Sequence, residues 1–419
     1  MIYLLLLLTF FFSAFGFGGS RMVEKTLNNG VRIILKETKG EGILGGYTFI
    51  KSGTHEEWKR GLTNLTSIML LRGTKKFDSF QIASAFEDYG GSISADTTDD
   101  YVQIGFATKT EGLDKALEVL ESMLLEPTFP EEQLEREKKN VISAIRSKRE
   151  KGFELAMENL RRLTFKGTPY EVSPLGTEED VSKIEKDDLV KRWNQILKGK
   201  NVVFVLVGDF NAEEVLPKVE KVLSKIPPGE FTFKEENTSV EESKVVYVSR
   251  QGAQATILCA WNGPKLDDGN WFSFKVLDAV LGTGMTSKLF QFLREQKGYA
   301  YATYSMFPTR LFSPRLFTYV GTSPDKAEDA LKDMLEVVRN STIKEEDVEL
   351  AKSKIIGGFL LSHQTRLSQA WYLGFYEVMG LGWKMDEEYP KLIQKVSLKD
   401  VLSARDRFIK EHHCVVVKP

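Results

Sequence analysis

The chain has 419 residues, with 57 Lys and Arg against 59 Asp and Glu and a formal net charge of −2. That length exceeds one ordinary domain and suits two or three. Balanced charge with no dense basic block lacks the electrostatic footprint of a nucleic-acid-binding protein, so no nucleic-acid partner is expected.

The opening segment, "MIYLLLLLTFFFSAFGFGGSR", has no charged side chain before Arg21 and is apolar from Ile2 to Phe12, followed by small residues. Residues 1–20 read as a secretory signal peptide cleaved after Gly16, or as an uncleaved N-terminal anchor that would be the chain's only route to a membrane. No cysteine follows the run to carry a lipid. The expected location is exported, in the periplasm or another extracytoplasmic space.

The runs "VRIILKET" and "GGYTFIKSG" then read as strands. In "GTHEEW", His55 reads as a solvated loop residue. The stretch "GLTNLTSIMLLRGT", residues 61–74, places Leu62, Leu65, Ile68 and Met69 at helical spacing, so one face should be buried. The opposite face carries Thr63, Asn64, Thr66 and Ser67. A further β-rich run, "GSISADTTDDYVQIGFAT", precedes amphipathic helices and a last apolar strand.

The second half repeats this order. Ala116, Leu117 and Ile142 recur as Ala330, Leu331 and Ile356 at an offset of 214, and Val203 recurs as Val415 at 212. The period is too long for a solenoid and fits two duplicated domains, 21–226 and 244–419. The Pro-Pro-Gly start and polar composition of residues 227–243 mark a linker. The predicted class is α+β, each domain packing helices on a largely antiparallel sheet.

Only Cys259 and Cys414 are present, so neither a disulfide framework nor a cysteine metal site can be built, and a single bridge between them is left open. His412, His413 and Cys414 are consecutive strand residues that alternate between faces, which argues against a metal cluster. His363 reads as a helix residue, on the surface or in the core. In "LGTGMTSKLFQFLREQKGYAYATYS", residues 281–305, a glycine turn enters an amphipathic helix with Leu289, Phe290 and Leu293 buried. A phosphate loop fails because Ser287 stands where a glycine is needed.

These segments resemble the insulinase, pitrilysin and mitochondrial processing peptidase family over essentially the whole chain after the leader. In that family a Gly precedes, and a Gly-Thr follows, an H-x-x-E-H helix whose imidazoles hold Zn²⁺ while the carboxylate activates water. In this frame Asn64 and Ile68 stand at the histidine positions and Ser67 at the base. The third ligand position, in "EKKNVISAI", falls on Ala144. None of these groups can hold zinc against water. The second-half element is intact: Gly284, Ser287, Leu289, Phe290, Leu293, Arg294, Glu295, Gly298 and Tyr301 match the family pattern. Its Arg and Tyr face the bound peptide there, which implies substrate-binding roles for Arg294 and Tyr301.

The resemblance implies one half of a clamshell: a non-catalytic, substrate-binding subunit of a heterodimeric zinc metallopeptidase acting on peptides or unfolded polypeptides. No cofactor is expected in this chain, and zinc is expected in a homologous partner subunit. A structural or peptide-holding scaffold with no part in hydrolysis is the alternative. The loop "LGTGMTSK" is shorter than the glycine-rich loop of the mitochondrial α-subunit, so presequence specificity is not carried over.

Overall fold

A computed structural model describes residues 19–419, so the predicted leader lies outside the described residues except for Gly19 and Ser20. The first sheet comprises β1 (Arg21–Thr26), β2 (Arg32–Glu37), β3 (Ile43–Lys51), β4 (Ser92–Thr97), β5 (Tyr101–Lys109) and β6 (Val202–Gly208), in the order β1-β2-β6-β3-β5-β4. The second comprises β7 (Lys244–Ser249), β8 (Ala255–Asn262), β9 (Ala300–Met306), β10 (Arg315–Thr322) and β11 (His412–Lys418), in the order β7-β11-β8-β10-β9. Without β1 the two orders are the same. In each, the last strand inserts inside the sheet: β6 lies parallel to β2 and antiparallel to β3, and β11 parallel to β7 and antiparallel to β8. The duplicated α+β architecture read from the sequence is the observed one.

The first repeat contributes α1 (Leu62–Leu70), α2 (Ser79–Glu87), α3 (Leu113–Leu125), α4 (Glu131–Arg149), α5 (Gly152–Thr164), α6 (Glu178–Ser182), α7 (Lys186–Ile196) and α8 (Ala212–Leu223). The second contributes α9 (Trp271–Gly282), α10 (Ala327–Asn340), α11 (Glu345–Ser362), α12 (Arg366–Val378), α13 (Met385–Gln394) and α14 (Leu398–Phe408). No helix among the described residues is long and apolar enough to cross a membrane. Residues 227–243 contain no regular element, yet they are pinned: Phe231 and Val240 are buried, and the Thr238 carbonyl accepts from Arg315 at 2.9 Å.

One face of each sheet is covered by helices of its own repeat, and the other by a helix from the opposite repeat. On the first sheet, Ile34, Phe49, Val203 and Val205 pack with Ala370 and Leu373 of α12. On the second, Leu258, Ala260, Val415 and Val417 pack with Ala156 and Leu160 of α5. Thus β6 is apolar at every position because it is covered on both faces. Two glycines permit the approach of α12. A Cβ on Gly374 would sit 2.2 Å from the Phe49 ring, and one on Gly45 would sit 2.3 Å from the Leu367 backbone nitrogen. Trp371 Nε1 then donates to Gln103 at 2.8 Å, and Trp383 Nε1 to Glu24 at 2.6 Å. On the reciprocal side, Arg315 is buried and its guanidinium donates to both oxygens of Thr164, the last residue of α5, where helix carbonyls lack partners.

Cys259 and Cys414 are register partners on β8 and β11 and form a disulfide inside the second sheet. His412 Nδ1 lies 2.9 Å from Arg339 instead of joining its neighbours around a metal. His363 caps the end of α11, with Nε2 2.7 Å from Asp386.

The β4–β5 turn carries two acids into the seam between the repeats. Asp100 accepts from the Tyr170 hydroxyl (2.6 Å) and the Leu311 N–H (3.1 Å), with His55 Nε2 at 2.9 Å. The expectation of a solvated His55 is therefore corrected: it is 1% exposed and stacks on Phe233 at 4.2 Å. Its charged sequence neighbours suggested solvent, whereas the residue that buries it, Asp100, is distant in sequence. Asp99 pairs with Arg161 of α5 (2.6 Å) and with Arg310 (3.3 Å). Burial raises the Asp99 pKa, but the Arg161 and Arg310 charges outweigh it and hold the carboxyl below its usual range.

A carboxyl whose folded-state pKa is depressed stabilises the fold above its unfolded pKa, near 4, and loses that contribution as pH falls through the folded value. Asp99→Ala is expected to lower stability at pH 7 by about 3–5 kcal/mol, because two buried guanidiniums lose their counter-charge. Denaturant titrations from pH 7 to pH 3 should show a shallower acid loss in the variant than in wild type. Equal slopes would remove Asp99 as the acid-sensitive tie.

Candidate functional site

Helix α1 begins at Gly61, whose left-handed φ of 95° lets the chain turn into the helix. Its first turn is braced by a carboxylate: Glu57 accepts from the Thr63 N–H at 2.6 Å and the Gly61 N–H at 3.3 Å. Burial holds Glu57 above the usual carboxylate range, against the opposing pull of Arg192. Arg192 of α7 is fully buried and donates to Thr63 Oγ1 (2.9 Å), the Gly53 carbonyl (3.0 Å) and the His55 carbonyl (2.8 Å). Burial lowers its pKa to about 10. Sequence reading missed this brace because Glu57 and Arg192 converge on Thr63 only in the fold.

The positions that would carry zinc chemistry are neutral and inward. Asn64 and Ser67 are buried and Ile68 is half-buried. Ser67 Oγ donates to the Asn64 carbonyl at 2.9 Å and shares a 2.7 Å hydrogen bond with the Thr97 hydroxyl. Asn64 Nδ2 is buried without a partner among the described residues, presenting N–H donors where a cation would need lone pairs. On α4, Ala144 is exposed while its neighbour Ile145 is buried in the core, and neither carries a donor. Among the described residues no three His, Cys, Asp or Glu side chains are grouped as metal ligands. The donor set does not fit Zn²⁺.

The second-half element is built differently. After Leu289 the chain runs through a π-helical segment, Phe290–Gln296, and Gly298 in a left-handed conformation turns it into β9. Among the described residues strand β9 pairs only with β10 and forms an edge of the sheet. The register shift at Gly321/Thr322 leaves Tyr301 as the extra residue of a β-bulge. Its carbonyl accepts from Arg294 Nη1 at 3.1 Å, and the Arg294 guanidinium lies over the Phe290 ring at 5.0 Å. Tyr301 is 52% exposed and Arg294 is also exposed. The two predicted residues therefore stand side by side, with a phenol and several guanidinium N–H groups facing solvent, while the predicted zinc positions lie on the other repeat. Sequence pattern could place Arg294 and Tyr301 near one another but could not reveal the bulge.

Residues 47–178 match the family model "Insulinase (Peptidase family M16)", and residues 183–355 match "Peptidase M16 inactive domain". An uncharacterized zinc protease, YmxG, of Bacillus subtilis is 25% identical over 94% of this chain and 97% of its own length. A protein described as the non-peptidase homolog YmxG of Helicobacter pylori is 27% identical over 84% of this chain and 82% of its own. The crystal structure of a peptidase M16 inactive domain from Pseudomonas fluorescens superposes with a TM-score of 0.89 at 19% identity, covering 95% of this chain and 98% of that one.

Restoring the zinc helix alone should not restore chemistry. The triple variant Asn64→His, Ser67→Glu, Ile68→His is expected to cleave a quenched fluorescent peptide no faster than wild type, because neither Ala144 nor Ile145 completes the ligand set. It should also melt at a lower temperature than wild type, since a carboxylate replaces a buried, hydrogen-bonded hydroxyl. Chelator-sensitive cleavage by the variant would mean that a third ligand exists elsewhere.

Proposed function

This chain is an inactive member of the insulinase family, peptidase family M16, and we propose that it is the substrate-binding subunit of a heterodimeric zinc metallopeptidase. The partner is a homologous subunit that carries the zinc, and the substrates are peptides or unfolded polypeptides. The observation that carries this reading is the contrast between the two repeats. The zinc helix is neutralised and closed by Ser67 and Thr97, whereas Arg294 and Tyr301 remain exposed on an edge strand.

An edge strand offers main-chain groups to an extended peptide, and the bulge turns Tyr301 and Arg294 toward that rim. Arg294 spends one N–H on the Tyr301 carbonyl and keeps the others for substrate carbonyls. With a peptide seated, these donors would hold its carbonyls in register, while a zinc ion in the partner would supply the hydrolytic chemistry. Export accords with the apolar leader and with the Cys259–Cys414 disulfide, a bond that persists in oxidising compartments.

The test is turnover by the reconstituted heterodimer, with assembly checked by gel filtration. Arg294→Ala and Tyr301→Phe should each assemble normally and lower turnover by roughly 10² to 10³, with the low end expected for groups remote from the zinc. The double variant should lose less than the sum of the two free-energy changes, because both residues grip one segment. Arg294→Lys should rescue only in part, since it lacks the planar fork. Wild-type turnover in both single variants would leave a peptide-holding scaffold as the better reading.

A further inference from the structure

A second, unassigned site lies where α12 crosses the seam. A pocket of about 450 Å³ opens between Tyr101 of the first sheet and helices α9, α11, α12 and α13. Its walls are aromatic. Trp371 stacks on Phe375 at 4.7 Å between centroids, Phe359 stacks on Tyr389 at 5.4 Å, and Trp271 meets Tyr389 edge-on at 6.3 Å.

Each polar side chain that lines the pocket has an N–H or O–H to donate, and no Asp or Glu is among its lining residues. Lys275 Nζ donates to the Phe307 carbonyl at 2.6 Å and to Thr309 Oγ1 at 3.4 Å, which leaves the third ammonium N–H. Burial lowers the Lys275 pKa to about 8, against the pull of Asp278, so it remains cationic at neutral pH. Tyr372, Tyr376 and Tyr389 line the same space, and their hydroxyls make no hydrogen bond among the described residues. The two nearby carboxylates are engaged elsewhere: Asp278 by the Ser305 hydroxyl and Phe307 N–H, Asp386 by His363.

The duplication supplies an internal control. At an offset of 214, Phe359, Trp371, Tyr372, Phe375 and Tyr376 correspond to Ile145, Met157, Glu158, Arg161 and Arg162. There the equivalent hollow has only about 70 Å³ and is closed by ion pairs, Glu158 to Arg149 and Arg162, and Arg161 to Asp99. The fold therefore does not require an aromatic cavity beside the exchanged helix.

We propose that this pocket binds a carboxylate attached to an aromatic or alkyl body, with the acid on Lys275 and the tyrosine hydroxyls and the body between the aromatic walls. Eight aromatic side chains, four of them phenols, with a single cation suit such a ligand, because the body displaces poorly held water while the acid meets donors that the protein leaves free. A free aryl-alkyl acid and the C-terminal residue of a peptide share this chemistry. The proposal is independent of the reading above, since neither Arg294 nor Tyr301 lines the pocket.

The full-length mature protein should be titrated with 3-phenylpropionate, its amide and 3-phenylpropylamine, following tryptophan fluorescence and heat. The acid should bind about tenfold or more tightly than the amide, and the amine should not bind. Lys275→Met should weaken the acid roughly tenfold to a hundredfold while sparing the amide. Should that variant misfold, Tyr372→Phe tests the same donor set, and the acid-to-amide ratio in wild type needs no variant. A Gly-Gly-Phe peptide with a free C-terminus, set against its amidated form, separates the sources: tighter binding than 3-phenylpropionate assigns a peptide end, weaker binding a free acid. Equal binding of acid and amide, preference for the amine, or no binding by any probe would overturn the proposal.

Discussion

The structure depends on an exchange of helices. Each sheet has two apolar faces, and a single repeat covers only one of them. The second face of each is closed by α12 or α5 from the opposite repeat. Fully burying a large apolar side chain stabilises by about 1.5–3 kcal/mol, so Phe49, Val205 and Leu373 on one side, and Leu160, Leu258 and Phe317 on the other, bind the repeats more firmly than any surface contact could. The buried acids at the β4–β5 turn add direction to that cohesion, because Asp99 and Asp100 accept hydrogen bonds from both repeats at once. Neither half is a closed domain in the thermodynamic sense.

Within that frame the two repeats have been resolved toward different chemistry. In the first, the turn into α1 keeps its full brace, Glu57 and Arg192, although the groups that would give the brace a purpose are gone. Ser67 and Thr97 fill the space with a neutral hydrogen bond, which avoids the desolvation penalty that an unpaired carboxylate would incur there. In the second repeat, a π-helical segment and a bulged edge strand keep two polar side chains outward. The helix that would carry zinc is thus packed and neutral, while the exposed polar pair of the chain's second repeat stands on the sheet rim.

Much of this was legible in the sequence, for identifiable reasons. Helical and strand periodicities survive duplication, so Ala116 and Ala330, or Val203 and Val415, announced two repeats and an α+β class. The neutral groups at positions 64, 67 and 68 were readable because a metal site demands particular side chains at fixed spacing. The exchange was not readable: Leu160 and Leu373 give the same amphipathic pattern whichever sheet they cover. His55 looked solvated because the residue that buries it stands far along the chain. The disulfide depended on register between β8 and β11, across 155 residues. The aromatic pocket is assembled from four helices and a strand, and no local window contains it.

The central position of each repeat's last strand has a consequence for the order in which the molecule can assemble. A ribosome delivers the chain from its N-terminus, yet the first sheet lacks its middle strand until residue 208 and its second covering until α12 is complete at residue 378. The second sheet is split in two until β11, residues 412–418, slides between β7 and β8. The first repeat can therefore pair its six strands before the second is made, but one face of its sheet stays bare until α12 arrives. The second repeat has the reverse order: α5 is already made when β11 closes its sheet, so there the covering helix waits for the strands.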